Sequence, residues 1–269
     1  AAISQEQPDI IAMQEVNQTI GAPAAEAKLL EGFLPVTENS SSKTAVVRTD
    51  NHAAQAAKRL RDAGVTYYWT WVPAKIGYGK YEEGLALFSK DHRIQAAEAF
   101  FISECHDFAN WKTRKALGIR TDSSTDWFFT VHMGWWQDEE EPFASQWERL
   151  EGALRQKTKL QGTDAAAKVW LMGDFNSPAE FRGQGYDCIK QSGWYDTYTL
   201  AEAKDSGITV EGCIDGWRSL SEQGTMPEGM RMDQIWCSSP VPVKSSAVWF
   251  NGANGAVVSD HFGVGIDIP

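Results

Sequence analysis

Short apolar runs that end on a polar residue recur along the chain and predict strands whose tips carry chemistry. Val169-Trp170-Leu171-Met172 reads as a strand buried on both faces, closed by Gly173 so that Asp174 and Asn176 emerge at its carboxyl end. Two residues apart on an extended chain, these two side chains share a face. Ile10 to Met13, entered through Pro8, predicts a second strand with Glu15 at its end. Val65 to Val72 is β-branched and aromatic, and Leu85 to Ser89 is an apolar strand after a glycine-rich loop, Ile76 to Gly84, expected to be mobile. An aromatic run from Trp127 ends in His132. Arg231 to Trp236 alternates, which puts Arg231, Asp233 and Ile235 on one inward face where both charges need partners. Neighbouring Asp260 and His261 cannot both face one site through a regular strand, so they are expected on a turn just before the final strand.

Helical spacing appears at Asn51 to Ala63, stopped by Gly64, and at Phe143 to Leu160; Arg182 to Gly193 reads as a loop and helix. Glu38 to Asp50 is a Ser-rich surface loop, and Ile214 to Arg218 a compact turn. With no repeats, the 269 residues are expected to form one domain.

Charge and cysteine content narrow the function. A formal net charge of −11 opposes condensation onto DNA but leaves small anionic substrates open. The four cysteines have no C-x-x-C spacing, so free thiols in a reducing cytoplasm are expected. No run approaches the roughly 18 apolar residues of a membrane span, and no secretory signal is visible from Ala1 onward.

Each polar strand tip has a plain and a chemical reading. Asp174 with Asn176 suits a hard cation or a nucleophilic water, or simply caps a turn. Glu15 is a ligand or an exposed acid; Glu83, directly before Gly84, is a better candidate than Glu82 for engaging a charge. His132 is a general acid, a metal ligand or a donor to a developing oxyanion. Several carboxylates without a cysteine cluster favour Mg²⁺ or Mn²⁺ over structural zinc, and hydrolysis or phosphoryl transfer as the reaction. Flat faces on Trp71, Tyr78, Trp111, Trp135 and Trp136 suit sugar rings, although most of 12 tryptophans must be core. Lys80, Lys112, Arg114 and Arg231 are the cations proposed for a phosphate, although the cluster Lys112 to Lys115 reads first as a solvated patch, as charge runs usually are.

In order, P-D-I-I-A-M-Q-E-V, E-G-L-A-L-F-S, V-H-M-G, G-D-F-N, R-M-D-Q-I-W and S-D-H-F resemble the endonuclease/exonuclease/phosphatase superfamily over residues 8 to 267. The resemblance implies an α/β fold, the four-layered α/β/β/α sandwich of DNase I-like proteins, with two packed mixed sheets flanked by helices. It implies Glu15 as principal metal ligand, Asp174 as the group that orients or activates water, and Asn176 as its positioning partner. It implies further that His132 binds a phosphoryl oxygen, that Asp233 holds His132 or the phosphate network, and that Glu83 supports the histidines. Asp260 would orient His261 or touch the metal, and His261 would stabilise transition-state charge. Family members carry a strand ending in Asn and a helix ahead of the P-D-I-I strand, about 20 to 30 residues with no counterpart here. One interior strand and one metal-proximal group are therefore expected to be missing.

Whole segments, among them N-W-K-T-R-K-A-L-G and T-V-E-G-C-I-D-G-W-R, resemble the bacterial branch typified by maltose 6'-phosphate phosphatase, a cytoplasmic sugar-phosphate hydrolase. A phosphomonoesterase is thus expected, with a nuclease-like phosphodiesterase and a silent sugar-phosphate-binding module as alternatives. The oligomeric state is left open.

Overall fold

The structure, a computed structural model, describes residues 2–36, 45–159, 167–212 and 229–269. Most of the Ser-rich loop, Leu160, Cys213 and the turn Ile214 to Arg218 lie outside the described residues. The chain divides into two compact units, Ala1–Gly173 and Asp174–Pro269.

The first unit contains α1 (Ala2–Glu6), β1 (Ile10–Thr19), α2 (His52–Asp62), β2 (Tyr67–Gly77), β3 (Tyr81–Lys90), β4 (Ile94–Phe101), β5 (Lys115–Thr121), β6 (Trp127–His132), α3 (Phe143–Lys159) and β7 (Val169–Asp174), whose last residue opens the second unit. One sheet has the order β1-β3-β2, antiparallel throughout; β4-β5-β6-β7 are neighbours in another. β3 shows why its run is apolar on both parities. Ala86 and Phe88 cluster with Trp69, Trp71 and the alanines of α2, while Leu85 and Leu87 cluster with Ala99, Leu117 and Ile119 of the second sheet. A helix thus covers one face of the first sheet and a second sheet covers the other.

Local chemistry sets α2 where the periodicity predicts it. Asn51 accepts from the Ala54 N–H at 3.0 Å as N-cap, Ala53, Ala54 and Ala57 let the backbone lie close to the sheet, and Gly64 leaves the helix at φ +83°.

Between β2 and β3 the expected mobile loop is instead a hairpin. The Lys80 N–H donates to the Gly77 carbonyl at 3.0 Å across Tyr78 (φ +52°) and Gly79 (φ +63°), the positive pair of a type I′ turn that matches strand twist. Extending the strands to the turn sets Lys75 opposite Glu83. β1 also departs from expectation: it does not stop at Glu15 but runs on to Thr19 through a bulge, the register shifting between Met13 and Val16.

The second unit holds α4 (Gly185–Gln191), β8 (Tyr195–Asp196), α5 (Thr197–Leu200), β9 (Ala201–Lys204), β10 (Val210–Glu211), β11 (Gly229–Met230), β12 (Asp233–Cys237), β13 (Val243–Trp249) and β14 (Gly263–Asp267). β12 pairs with β8, β10 with β11, and β13 lies between antiparallel β14 and parallel β9. Phe175, Tyr186 and Trp236 stack its core, with Trp236 centroids 6.4 and 5.1 Å from the other two.

Candidate active site

In the first unit three strands meet: Glu15 within β1, Glu83 near the start of β3 and His132 at the end of β6 each place a ligand-capable atom within 4.8 Å of the others. Glu15 stands at the β1 bulge, exposed, with φ +53°, a conformation most non-glycine residues avoid. Its surroundings hold it there. The Trp71 indole donates to the Val16 carbonyl at 3.0 Å, and the Gln14 amide donates to Thr130 Oγ1 on β6 at 2.7 Å. Two glycines let the backbones close in. A Cβ on Gly84 would fall 2.1 Å from the Val72 carbonyl, and one on Gly173 (φ +141°) 2.1 Å from the Val131 carbonyl. Glu83 is buried and paired with Lys75 at 3.1 Å, so its charge is shared.

The cations around this group are its most unusual feature. A small cleft is lined by Lys75, Glu83, Thr113, Arg114, Lys115 and His132. Burial pushes the Lys75 ammonium down and the Arg114 guanidinium adds to this, with Glu83 and Glu15 opposing; the net shift is downward. Lys115 donates to the Pro73 carbonyl at 3.0 Å and lies 4.6 Å over the Phe101 ring. Buried Arg114 and Lys115 and half-buried Lys75, the last paired with Glu83, gather positive charge here in a chain of net charge −11.

In the second unit Asp174, Asp233 and His261 form another group within 4.8 Å. Asn176, at φ +47°, folds back so that its N–H donates to Asp174 Oδ1 at 2.7 Å and its amide to Oδ2 at 3.2 Å. His261 Nδ1 lies 2.9 Å from Asp233 Oδ2. Burial alone would lower the imidazole's pKa, but the Asp233 hydrogen bond and the charges of Asp174, Asp233 and Asp260 outweigh it and hold the ring up at about 10. At neutral pH the ring is therefore an imidazolium, with Nδ1–H donated to Asp233 and Nε2–H left to face a ligand. Thr209 is the organiser that sequence reading passed over. Its hydroxyl accepts from the N–H groups of Met232 and Asp233, both at 3.0 Å, and its carbonyl accepts from Phe262 N–H at 2.7 Å, fixing the residues beside His261.

The family model described as the endonuclease/exonuclease/phosphatase family matches residues 1–261. The chain belongs to this family. No curated protein sequence matches it. Among solved structures, an endonuclease/exonuclease/phosphatase family protein from Leptotrichia buccalis is 29% identical with a TM-score of 0.76, covering 100% of this chain and 90% of its own. The mannosyl-6-phosphatase Bt3783 from Bacteroides thetaiotaomicron is 17% identical with a TM-score of 0.56, covering 80% of this chain and 81% of its own. The human nocturnin catalytic domain, solved with a sulfate anion, is 17% identical with a TM-score of 0.53, covering 91% and 74%. The layered α/β architecture is the DNase I-like fold of these neighbours. No described helix is long and apolar enough to cross a membrane.

Enzymes of this family are hydrolases that generally use divalent metals, and the donor set of the first unit fits one. Glu83 is buried and paired with Lys75, whereas Glu15 stands exposed at the bulge. A single carboxylate with waters and substrate oxygens is the usual Mg²⁺ arrangement. Asp174, Asp233 and His261 form a second group whose donors could hold an ion. Asp260, expected to orient His261 or touch the metal, is exposed and accepts from Ser259 Oγ at 3.2 Å; the hydrogen bond to His261 comes from Asp233. Asp233, expected to hold His132 or the phosphate network, has Oδ2 2.9 Å from His261 Nδ1.

The structure sorts the expected substrate-binding residues for this family member. Arg114 lines the cleft. Lys80 sits on the exposed hairpin turn, over the Tyr81 ring at 4.8 Å. Lys112 is taken up by Asp138 and Glu140 at 2.9 and 2.8 Å, and Trp136 is buried, edge-on to half-buried Trp135 at 5.8 Å.

Arg231 is not a phosphate ligand but the centre of a buried ion pair. It grips Asp196 with two nitrogens at 3.2 and 2.6 Å and lies over the rings of Tyr198 and Tyr186 at 4.4 and 5.5 Å. Removing one member of such a pair strands a buried charge. Arg231→Met is therefore expected to lose about 3–5 kcal/mol of stability in denaturant unfolding, and Arg231→Met with Asp196→Asn to recover part of it. A phosphate-binding Arg231 would instead raise KM at unchanged stability.

Proposed function

We propose that this chain is a divalent-metal-dependent phosphomonoesterase acting on a small sugar phosphate, with maltose 6'-phosphate the substrate that its segment resemblances favour. The observation that carries the reading is the cleft in which Lys75, Arg114 and Lys115 surround His132 and Glu83 beside Glu15. A monoester dianion needs dense positive charge on few atoms, and Lys75, Arg114 and Lys115 bring three cations to the edge of one small cleft.

The chain's own groups take distinct tasks. Glu15 holds the Mg²⁺ or Mn²⁺, which neutralises charge on the phosphoryl oxygens when bound. Arg114 and Lys75 hold the phosphoryl group in place, and His132 donates to one of its oxygens. By the family resemblance, Asp174, fixed by Asn176, would align the attacking water and accept its proton. By the same resemblance His261, held by Asp233, would stabilise the charge that grows in the transition state.

An assay of the purified protein against disaccharide, hexose and glycerol phosphates, with Mg²⁺ or with EDTA, tests the reading. Metal-dependent phosphate release, fastest with a sugar phosphate, is the expected result. Release from none of them, or faster nicking of plasmid DNA at low salt, would overturn it.

A further inference from the structure

Resting on the phosphomonoesterase reading, we infer that Tyr78 and Trp111 form the platform on which the sugar of the substrate stacks, and so set which phosphate esters are cleaved. Of the aromatic residues beside the site segments, Trp71 and Trp136 are core, whereas Tyr78 is 95% exposed and Trp111 61% exposed. An exposed large aromatic costs solvation unless it meets something, and these two stand on turns next to lining residues of the cationic cleft, Tyr78 after Lys75 and Trp111 before Thr113 and Arg114.

Each is tied to a wall of that cleft. Tyr78 follows Gly77, whose Cα lies so close to Glu83 that a Cβ there would be 2.6 Å from Glu83 Oε2. On the type I′ turn its ring stands exposed. The Trp111 carbonyl accepts from Arg114 Nη1 at 2.7 Å, so the guanidinium in the cleft also braces the turn that carries the indole. Lys112 lies 5.4 Å over the Trp111 ring and is anchored by Asp138 and Glu140, which stiffens the turn from the far side. The two turns are joined by the Ile76 N–H donating to the Phe108 carbonyl at 2.8 Å.

A rigid indole and a phenol next to a monoester site match the apolar C–H face of a pyranose, and two rings give room for more than one sugar unit. A disaccharide phosphate should therefore gain from both residues. Glycerol phosphate, which has no ring, should gain from neither.

The test compares Tyr78→Ala, Trp111→Ala and the conservative Trp111→Phe in the full chain, using maltose 6'-phosphate and glycerol 3-phosphate. For each alanine variant kcat/KM on the disaccharide phosphate is expected to fall about tenfold, mostly through KM, with glycerol phosphate turnover and inhibition by inorganic phosphate unchanged within twofold. Trp111→Phe should regain most of the loss. Equal losses on both substrates, or no loss on the disaccharide, would overturn the platform. Calorimetric titration of maltose 6'-phosphate separates this from the parent reading. A wild-type protein that binds it without turnover, and whose alanine variants bind it weakly, keeps the platform and ends the phosphatase assignment. Absence of binding ends both.

Discussion

Asp233→Asn is expected to move the alkaline limb of the pH–kcat profile to lower pH, and His261→Gln to lower kcat by about 10²- to 10³-fold at pH values below that limb. The first effect follows from the balance of forces on one imidazole. Burial favours its neutral form; Asp233, 2.9 Å from Nδ1, and the charges of Asp174 and Asp260 reverse that and hold the ring protonated to about pH 10. Neutralising Asp233 removes both its charge and its preferred hydrogen bond, so burial regains ground and Nε2–H is lost at lower pH. Measured kcat between pH 6 and 10.5, with the His Cε1 proton followed by NMR, reads both the limb and the group behind it. Identical limbs in the wild type and Asp233→Asn would remove His261 from the chemistry.

The same proton is linked to stability. With the folded value near 10, above the ordinary 6.5, the native state holds more protons than the unfolded chain between the two. Its contribution is fully present below about pH 6.5 and is lost as pH rises through 10. The wild-type Tm should accordingly decline over that window more steeply than that of His261→Gln.

The strand tips were legible because each apolar run ends on a polar residue that has no reason to be there for packing. Asp174, Asn176, His132 and the Asp260-His261 turn were placed this way, as was α2 from its cap and its alanine face. What sequence could not show was register. Lys75 looks like a loop lysine until Tyr78-Gly79 is seen as a type I′ turn, which sets it opposite Glu83. Lys115 looks like part of a solvated patch until β5 carries it inward beside Arg114. The partners of Arg231 and Asp233 lie 35 and 28 positions away, at Asp196 and His261, so only the fold shows which charge meets which. Thr209 carries no mark at all, since its role comes from three backbone contacts rather than from its neighbours in sequence.

Glu15→Gln is expected to abolish the response to Mg²⁺ and to lower kcat/KM by about 10²- to 10⁴-fold, the range covered by several kcal/mol of charge neutralisation. The bulge that presents Glu15 makes a second substitution informative. At φ +53° the residue is strained in a way glycine would not be. Glu15→Gly exchanges that strain for the chain entropy of an added glycine, two opposing terms of about 1 kcal/mol each. The variant should keep its Tm within a few degrees, or gain, while losing the same activity as Glu15→Gln. Loss of function at undiminished stability would mark the bulge as a feature held for the ion and not for the sheet. A binding readout makes this independent of turnover: Mg²⁺ added to metal-stripped wild type should raise Tm, because a ligand that binds only the folded state stabilises it. Neither Glu15 variant should show that rise. If either does, the ion sits elsewhere, and the strained carboxylate at the centre of β1 would need another explanation.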